Sequence, residues 1–235
     1  MLNTLGFVID KKNVKEYDRE YCFFTKKYGK INLITKSVRK PLSKLSSQLE
    51  PPALIEIVFT PSGEKGLITM ALAKKSYFPI RKNIDKLKAY LRIAKIINGL
   101  TIAKQKDEDL WYLLSSSIKY LNKYDYRIVE LNFLAKFLKV LGLTPNLKYC
   151  INCQAKITNE HNVFFDKARG GFTCNKCHKP SEKPFTSQIF KLISVLNELT
   201  LKEIIKRELN PILENRYVEV KKFFDVYIKQ TEKYF

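Results

Sequence analysis

The run Glu20-Tyr21-Cys22-Phe23-Phe24-Thr25-Lys26-Lys27-Tyr28-Gly29-Lys30-Ile31-Asn32-Leu33-Ile34-Thr35-Lys36-Ser37-Val38 sets the architecture of the first third of the chain. Residues 20–25 bring Tyr21, Cys22, Phe23 and Phe24 together, a composition that suits a pleated surface packed on one side. Lys26-Lys27-Tyr28-Gly29-Lys30 reads as a turn, with the glycine free to take the backbone conformation a tight reversal needs. Over 31–38 a strand resumes, Ile31 and Leu33 facing one way and Lys30, Asn32 and Lys36 the other. Outward from this hairpin, residues 5–9 form a short apolar run. Further on, Ile55, Ile57 and Phe59 share a face, Pro61-Ser62-Gly63 makes a turn, and Ile68, Met70 and Leu72 share the next face. Five short strands within residues 1–78 predict a small barrel. An OB-fold has that strand count, and so do other five-stranded barrels.

The same hairpin begins a concentration of charge. The 235 residues include 43 Lys and Arg against 23 Asp and Glu, a net charge of +20. By segment the balance is +7 over 1–78, +8 over 79–149, +3 over 150–183 and +2 over 184–235. Residues 21–49 contain no acid and hold Lys26, Lys27, Lys30, Lys36, Arg39, Lys40 and Lys44. Cations crowded in this way repel one another, and a polyanion relieves that repulsion. These seven are the candidate nucleic-acid-binding residues. Nucleic acid is preferred to an anionic membrane because none of the lysines lies on a clear amphipathic helix. Tyr21, Phe23 and Tyr28, in the same stretch, either stack on bases or fill the core.

Apolar residues make up 45% of the chain, which excludes wholesale disorder. No apolar stretch approaches the ~18 residues a membrane-spanning helix needs. Met1-Leu2-Asn3-Thr4 lacks the charged region and apolar run of a secretory signal. The expectation is a soluble, intracellular protein in a reducing compartment.

After Pro79 the apolar period becomes helical. Ile84, Leu87, Leu91, Ala94 and Ile97 form one stripe that ends near Gly99. A helix over 107–120 opens with Asp107, Glu108 and Asp109, which suit the positive end of the helix dipole. Over 126–141, Ile128, Leu131, Leu134, Ala135, Leu138 and Leu141 share a side, closed by Gly142 and Pro145. Helical spacing returns at Thr186, and a last segment begins at Pro211 with Leu213, Tyr217, Val220, Phe224 and Tyr227 on one stripe. These stripes read as helix-bundle core.

Cys150-Ile-Asn-Cys153 and Cys174-Asn-Lys-Cys177 give the spacing C-x2-C-x20-C-x2-C. Each C-x2-C turn lets two thiolates converge on one ion, and two such turns complete a tetrahedron. Gly170-Gly171 supplies a tight turn before the second pair, and Lys148, Lys176 and Lys179 offset the charge of four thiolates. The expected ligand is one structural Zn2+ per chain, because four thiolates leave no open position for catalysis. His161 and His178 are weaker candidates as ligands, and Cys22, the fifth cysteine, reads as a buried core thiol. No Walker phosphate loop, H-E-x-x-H or G-x-S-x-G is present, and two histidines leave little for imidazole acid–base chemistry. The chain does not read as an enzyme.

Three groups of residues, in order along the chain, resemble the RecO family of DNA repair and recombination mediators. The first is Tyr28-Gly29-Lys30-Ile31 with Lys36-Ser37-Val38-Arg39-Lys40-Pro41, Ser43-Lys44, Leu49 and Pro51, where the family reads G-K-I and then A-K-G-A-R-[KR]-P-x-S-[KR]. The second is Arg127, Glu130-Leu131, Leu141-Gly142-Leu143, Pro145, Leu147, Cys150 and Cys153. The third is Phe165, Gly170-Gly171, Cys174 and Cys177. Ser37-Val38 replaces the family's Gly-Ala pair, and Glu50 stands where glutamine is common.

The resemblance spans essentially the whole chain. It implies an α+β protein with an N-terminal five-stranded OB-fold over 1–78 and an α-helical domain over 79–235 that carries a zinc module at about 145–183. It also implies single- and double-stranded DNA as partners, strand annealing, and work with RecR that helps RecA load onto DNA coated by single-stranded-DNA-binding protein. The C-terminal tail of that protein would dock on the helical domain, and the location would be cytoplasmic, on the nucleoid. Two rival readings share parts of the pattern. An RNA-binding or ribosome-associated zinc-ribbon protein shares the charge and the cysteines. A zinc-finger DNA glycosylase or ligase is the other, but Leu2 stands where the glycosylases use proline and no K-x-D-G ligase motif occurs.

Overall fold

The computed structural model describes residues 1–63, 65–157, 163–166, 168–179 and 184–231. Five strands, β1 (Leu2–Asn13), β2 (Arg19–Thr25), β3 (Gly29–Thr35), β4 (Ala53–Ser62) and β5 (Lys65–Ser76), close into a barrel in the order β1-β2-β3-β5-β4. All neighbours are antiparallel except β3 and β5, which pair in parallel at Leu33↔Gly66 and Ile34↔Leu67. That order and the single parallel seam are those of the OB-fold. A short helix α1 (Lys44–Gln48) lies between β3 and β4.

Alternation explains what fills the barrel. Val8, Tyr21, Phe23, Ile31, Leu33, Ile55, Ile57, Phe59 and Ile68 point into one core. Tyr21 and Phe23 are completely buried, so of the two roles open to them the structure gives them core packing. Tyr28 is half-buried and meets Phe59 edge-on. The expected face of β5 is corrected. Ile68 is buried, but Met70 and Leu72 are exposed, and Ala71 takes the inward position. The cause is a register shift, with Phe59 opposite Ile68 and Val58 opposite Met70. One extra residue on β5 switches the faces of those that follow. The third strand also ends at Thr35 rather than at residue 38, leaving Lys36 and Val38 in the connection to α1.

The chain divides into two compact units, residues 1–126 and 127–235. The first contains the barrel with α2 (Phe78–Lys82), α3 (Ile84–Leu100) and α4 (Glu108–Leu121). Asn83 caps α3 through its side chain, and Asp107 caps α4, accepting from the Leu110 N–H at 2.8 Å. The acids at 107–109 are thus the helix start their sequence suggests. The buried face of α3 is Ala89, Tyr90, Ile93, Ala94, Ile97 and Leu100, whereas Ile84 and Leu91 are exposed. This corrects the predicted stripe. Apolar residues occur on several sides of this helix, and the side chosen is the one whose Tyr90 hydroxyl donates to the Val8 carbonyl of β1.

The second unit is built on α5 (Tyr126–Val140), where every residue from Ile128 to Ala135 is buried, as befits a helix surrounded by neighbours. A small sheet follows, β6 (Val163–Asp166), β7 (Gly171–Thr173) and β8 (Pro184–Phe185), in the order β7-β6-β8. Then come α6 (Ser187–Glu198), α7 (Leu201–Lys206), α8 (Asn210–Asn215) and α9 (Tyr217–Thr231). Thr200 and Glu203 form a reciprocal capping box at α7. The rings of Phe165, Phe172, Phe185, Phe190 and Phe223 pack against one another, joining the small sheet to α6 and α9. No helix among the described residues is long and apolar enough to cross a membrane.

Candidate nucleic-acid interface and metal centre

The seven cations of residues 21–49 do not form one patch. Lys26, Lys27 and Lys30 sit where β2 turns into β3, and Lys36, Arg39, Lys40 and Lys44 follow the other end of β3. Seven strand residues at about 3.3 Å each place the two groups roughly 20 Å apart.

Near the turn two of the three cations are engaged. Lys27 Nζ donates to Asn3 Oδ1 at 2.7 Å, and Lys30 Nζ donates to the Asn98 carbonyl at 2.7 Å. The linker between α3 and α4 lies directly on this turn, with Lys104 N–H donating to the Lys30 carbonyl at 2.8 Å. Gly29 makes that approach possible. Its φ is +61°, and a Cβ there would sit 1.8 Å from the Gln105 carbonyl oxygen. The linker brings Glu108, whose carboxyl is held below its ordinary pKa by Lys106 and, more weakly, by Lys26.

The second group has a different setting. Lys36, Lys40 and Lys44 are exposed and form no ion pair among the described residues. Arg39 is part of the loop structure, since its N–H donates to the Tyr17 carbonyl at 3.0 Å and its guanidinium to the Glu16 carbonyl at 2.9 Å. Ser37 occupies the left-handed region at φ 52°, where the family has glycine, and its N–H donates to Asp18 Oδ1 at 2.8 Å. These bonds clasp residues 36–40 to the β1–β2 loop, and Lys40 Nζ lies 5.4 Å from the Tyr17 ring centroid. Two loops become one basic lip. Tyr17 and Leu42 are exposed on it, and neither stands out in the sequence. Tyr17 carries no signal of its own in the sequence; the β2–β3 pairing, with Arg19 opposite Thr35, brings residues 16–18 to 37–40.

The four cysteines do converge. The Sγ atoms of Cys150, Cys153, Cys174 and Cys177 all lie within 4.8 Å of one another. Bonds of about 2.3 Å to a tetrahedral ion would separate sulfurs by about 3.8 Å. Cys153 and Cys174 Sγ are 3.7 Å apart, so the set fits a metal ion. Cys150 is buried, and the N–H groups of Asn152 and Cys174 each approach its sulfur at 3.4 Å. Burial works against its thiolate, yet the surrounding N–H donors and the Cys153 thiol bring its pKa down to about 6. Cys177 is pushed up to about 12, first by its hydrogen bond with Cys153 and then by desolvation. Full deprotonation of the cluster therefore calls for a cation at its centre.

Gly171 lets the first knuckle sit on β7, since a Cβ there would lie 2.4 Å from the Ile151 side chain. His178 stacks on Phe164 with ring centroids 3.9 Å apart, and its Nδ1 is 2.8 Å from the Asn175 carbonyl. His161 lies outside the described residues. Cys22 is buried with its thiol pushed up to about 12 by desolvation, as a core thiol should be.

The second unit also holds a groove of about 620 Å³ that the sequence did not announce. Phe165, Phe185, Ile189 and Phe223 line it together with Lys179, Arg216 and Lys222.

Comparison with known proteins finds two family matches in order along the chain, and they meet just after the barrel rather than between the two compact units. The family described as Recombination protein O N terminal matches residues 1–77, and the one described as Recombination protein O C terminal matches residues 81–230. The DNA repair protein RecO of Moorella thermoacetica is 27% identical over 217 residues, covering 92% of this chain and 81% of that protein. Its counterpart from Caldicellulosiruptor saccharolyticus is 28% identical over 97% of this chain and 92% of its own length. That of Bacillus subtilis is 26% identical over 91% and 87%.

Proposed function

The chain belongs to the RecO family of DNA repair proteins, and from that premise we propose that it is a DNA-binding recombination mediator. In this reading it binds single- and double-stranded DNA, anneals complementary strands and, with RecR, helps RecA load onto DNA coated by single-stranded-DNA-binding protein. It works in the cytoplasm, on nucleoid DNA. The observation that carries the reading is the basic lip on a closed OB-type barrel, where Lys36, Lys40 and Lys44 project without ion-pair partners among the described residues. Two strands repel through their phosphates. A surface that holds both lowers that repulsion, so pairing needs no nucleotide hydrolysis.

Residues 1–78 are the DNA-binding part in this reading, and 79–235 the helical part with its module at about 145–183. The four cysteines hold one structural Zn2+, which fixes the module and leaves no coordination position for substrate. The aromatic-lined groove, with Lys179, Arg216 and Lys222, is where an acidic tail ending in apolar residues would dock. The function is tested by annealing complementary oligonucleotides without ATP, bare and coated with single-stranded-DNA-binding protein. Acceleration of both is expected. A protein that accelerates neither is not a mediator of this kind.

A further inference from the structure

Around the metal centre runs a closed circuit of polar contacts that uses none of the four sulfurs. Asp166, at the end of β6, is almost fully buried, its side chain 2% exposed. Its Oδ1 accepts from the N–H groups of Ala168 at 2.9 Å and Arg169 at 3.2 Å. Its Oδ2 accepts from Arg169 Nε at 2.8 Å and pairs with Lys179 at 3.6 Å. The Arg169 guanidinium, so aimed, donates through its other edge to Asn152 Oδ1. Asn152 belongs to the first knuckle, and its Nδ2 donates to the carbonyl of Cys177 in the second, at 3.2 Å. Lys179, two residues on, returns the circuit to Asp166.

We propose that Asn152, Arg169 and Asp166 are positioning residues of the metal centre, holding the two knuckles in register so that four thiolates meet one ion. This rests on the reading that the cysteines bind zinc. The physical argument concerns what each knuckle lacks. A C-x2-C turn fixes two sulfurs relative to each other, but nothing within it fixes them relative to the other pair. The side chain of Asn152 reaches across, from its own knuckle to the backbone of the other. An amide presents a donor and an acceptor on one rigid plane, so it can serve Cys177 and Arg169 together. Arg169 is suited to the next link because its fork faces Asp166 and Asn152 at once, which a lysine ammonium on a flexible stem does not reproduce. Partners of this outer kind typically contribute 10–100-fold to metal affinity.

The test uses the full chain loaded with zinc, measured by competition with a chromophoric chelator, and the cobalt-substituted form read by its absorption. Asn152→Ala is the primary variant, since Asn152 is exposed and folding does not depend on its burial. A 10–100-fold loss of zinc affinity is expected, with thermal melting of the metal-free protein unchanged. Arg169→Lys should lose affinity as Arg169→Ala does. If Arg169→Lys matches wild type, the contribution is charge alone and positioning is refuted. Variants that bind zinc as tightly as wild type, or that lower the melting of the metal-free protein as much as that of the loaded protein, overturn the proposal. A wild-type chain that takes up neither zinc nor cobalt overturns the zinc reading itself, and the positioning role with it.

Discussion

Replacing Lys36, Lys40 and Lys44 together by alanine isolates the electrostatics of the basic lip. All three are exposed and outside any ion pair among the described residues, so stability should change by less than about 1 kcal/mol. Arg39 is kept, because its two bonds to the Glu16 and Tyr17 carbonyls hold the loops together. If each lysine neutralises one phosphate, the slope of log affinity against log salt for single strands falls by about 0.7 per residue, or about 2.1 in all. Carried from 1 M to 0.15 M salt, that slope amounts to about 1.7 log units, roughly a 50-fold or 2.3 kcal/mol loss of affinity. Fluorescence anisotropy on labelled single strands of unrelated sequence, across roughly 50 to 400 mM salt, measures both quantities. The loss should not depend on sequence, since phosphates carry no base information. Lys26→Ala with Lys27→Ala serves as comparator. Lys27 is held by Asn3 and Lys26 lies within electrostatic reach of Glu108, so this pair should lower the slope by less than half as much per residue. A triple variant with wild-type affinity and slope, or a comparator that loses more, would refute the assignment of the lip.

Further outcomes follow from burial and close approach. With metal bound, none of the five thiols should alkylate rapidly at about pH 8; stripping the metal should make the cluster reactive, with Cys177, pushed up to about 12, the slowest of its four, while Cys22 reacts only on unfolding. Its thiol sits near 12 in the folded protein and at about 9 when unfolded, so its contribution to stability is full below pH 9 and is lost as pH rises from there toward 12, as urea titrations across that window would reveal. Gly29→Ala should cost about 3 kcal/mol, of which about 1–2 is the left-handed backbone and the rest the displaced 101–107 linker with its Lys104–Lys30 bond. An unchanged urea midpoint would show that the linker does not need to lie against Gly29.

The five barrel strands, the stripes of the longer helices and the convergence of the four cysteines were legible in the sequence, because each rests on short-range geometry. Alternation of period two is a property of the strand itself, and a C-x2-C turn brings its sulfurs together whatever surrounds it. The RecO motifs were legible for the same reason, being runs of neighbours in the chain. Pairing between strands and packing between elements decided the remainder. A single register shift at Thr69 turned Met70 and Leu72 outward, which no pattern of apolar residues records. Tyr90 selected one of several apolar faces of α3 through the carbonyl of Val8, far earlier in the chain. The seven cations look like one patch in sequence and lie at two ends of β3 in space, one end covered by the α3–α4 linker and the other clasped to the β1–β2 loop. Asn152, Arg169 and Asp166 meet only because the ribbon folds back at Gly170 and Gly171. Local periodicity states which residues turn toward a core, but contacts between distant loops depend on the path of the whole chain, and those contacts determine which charges are left free to bind.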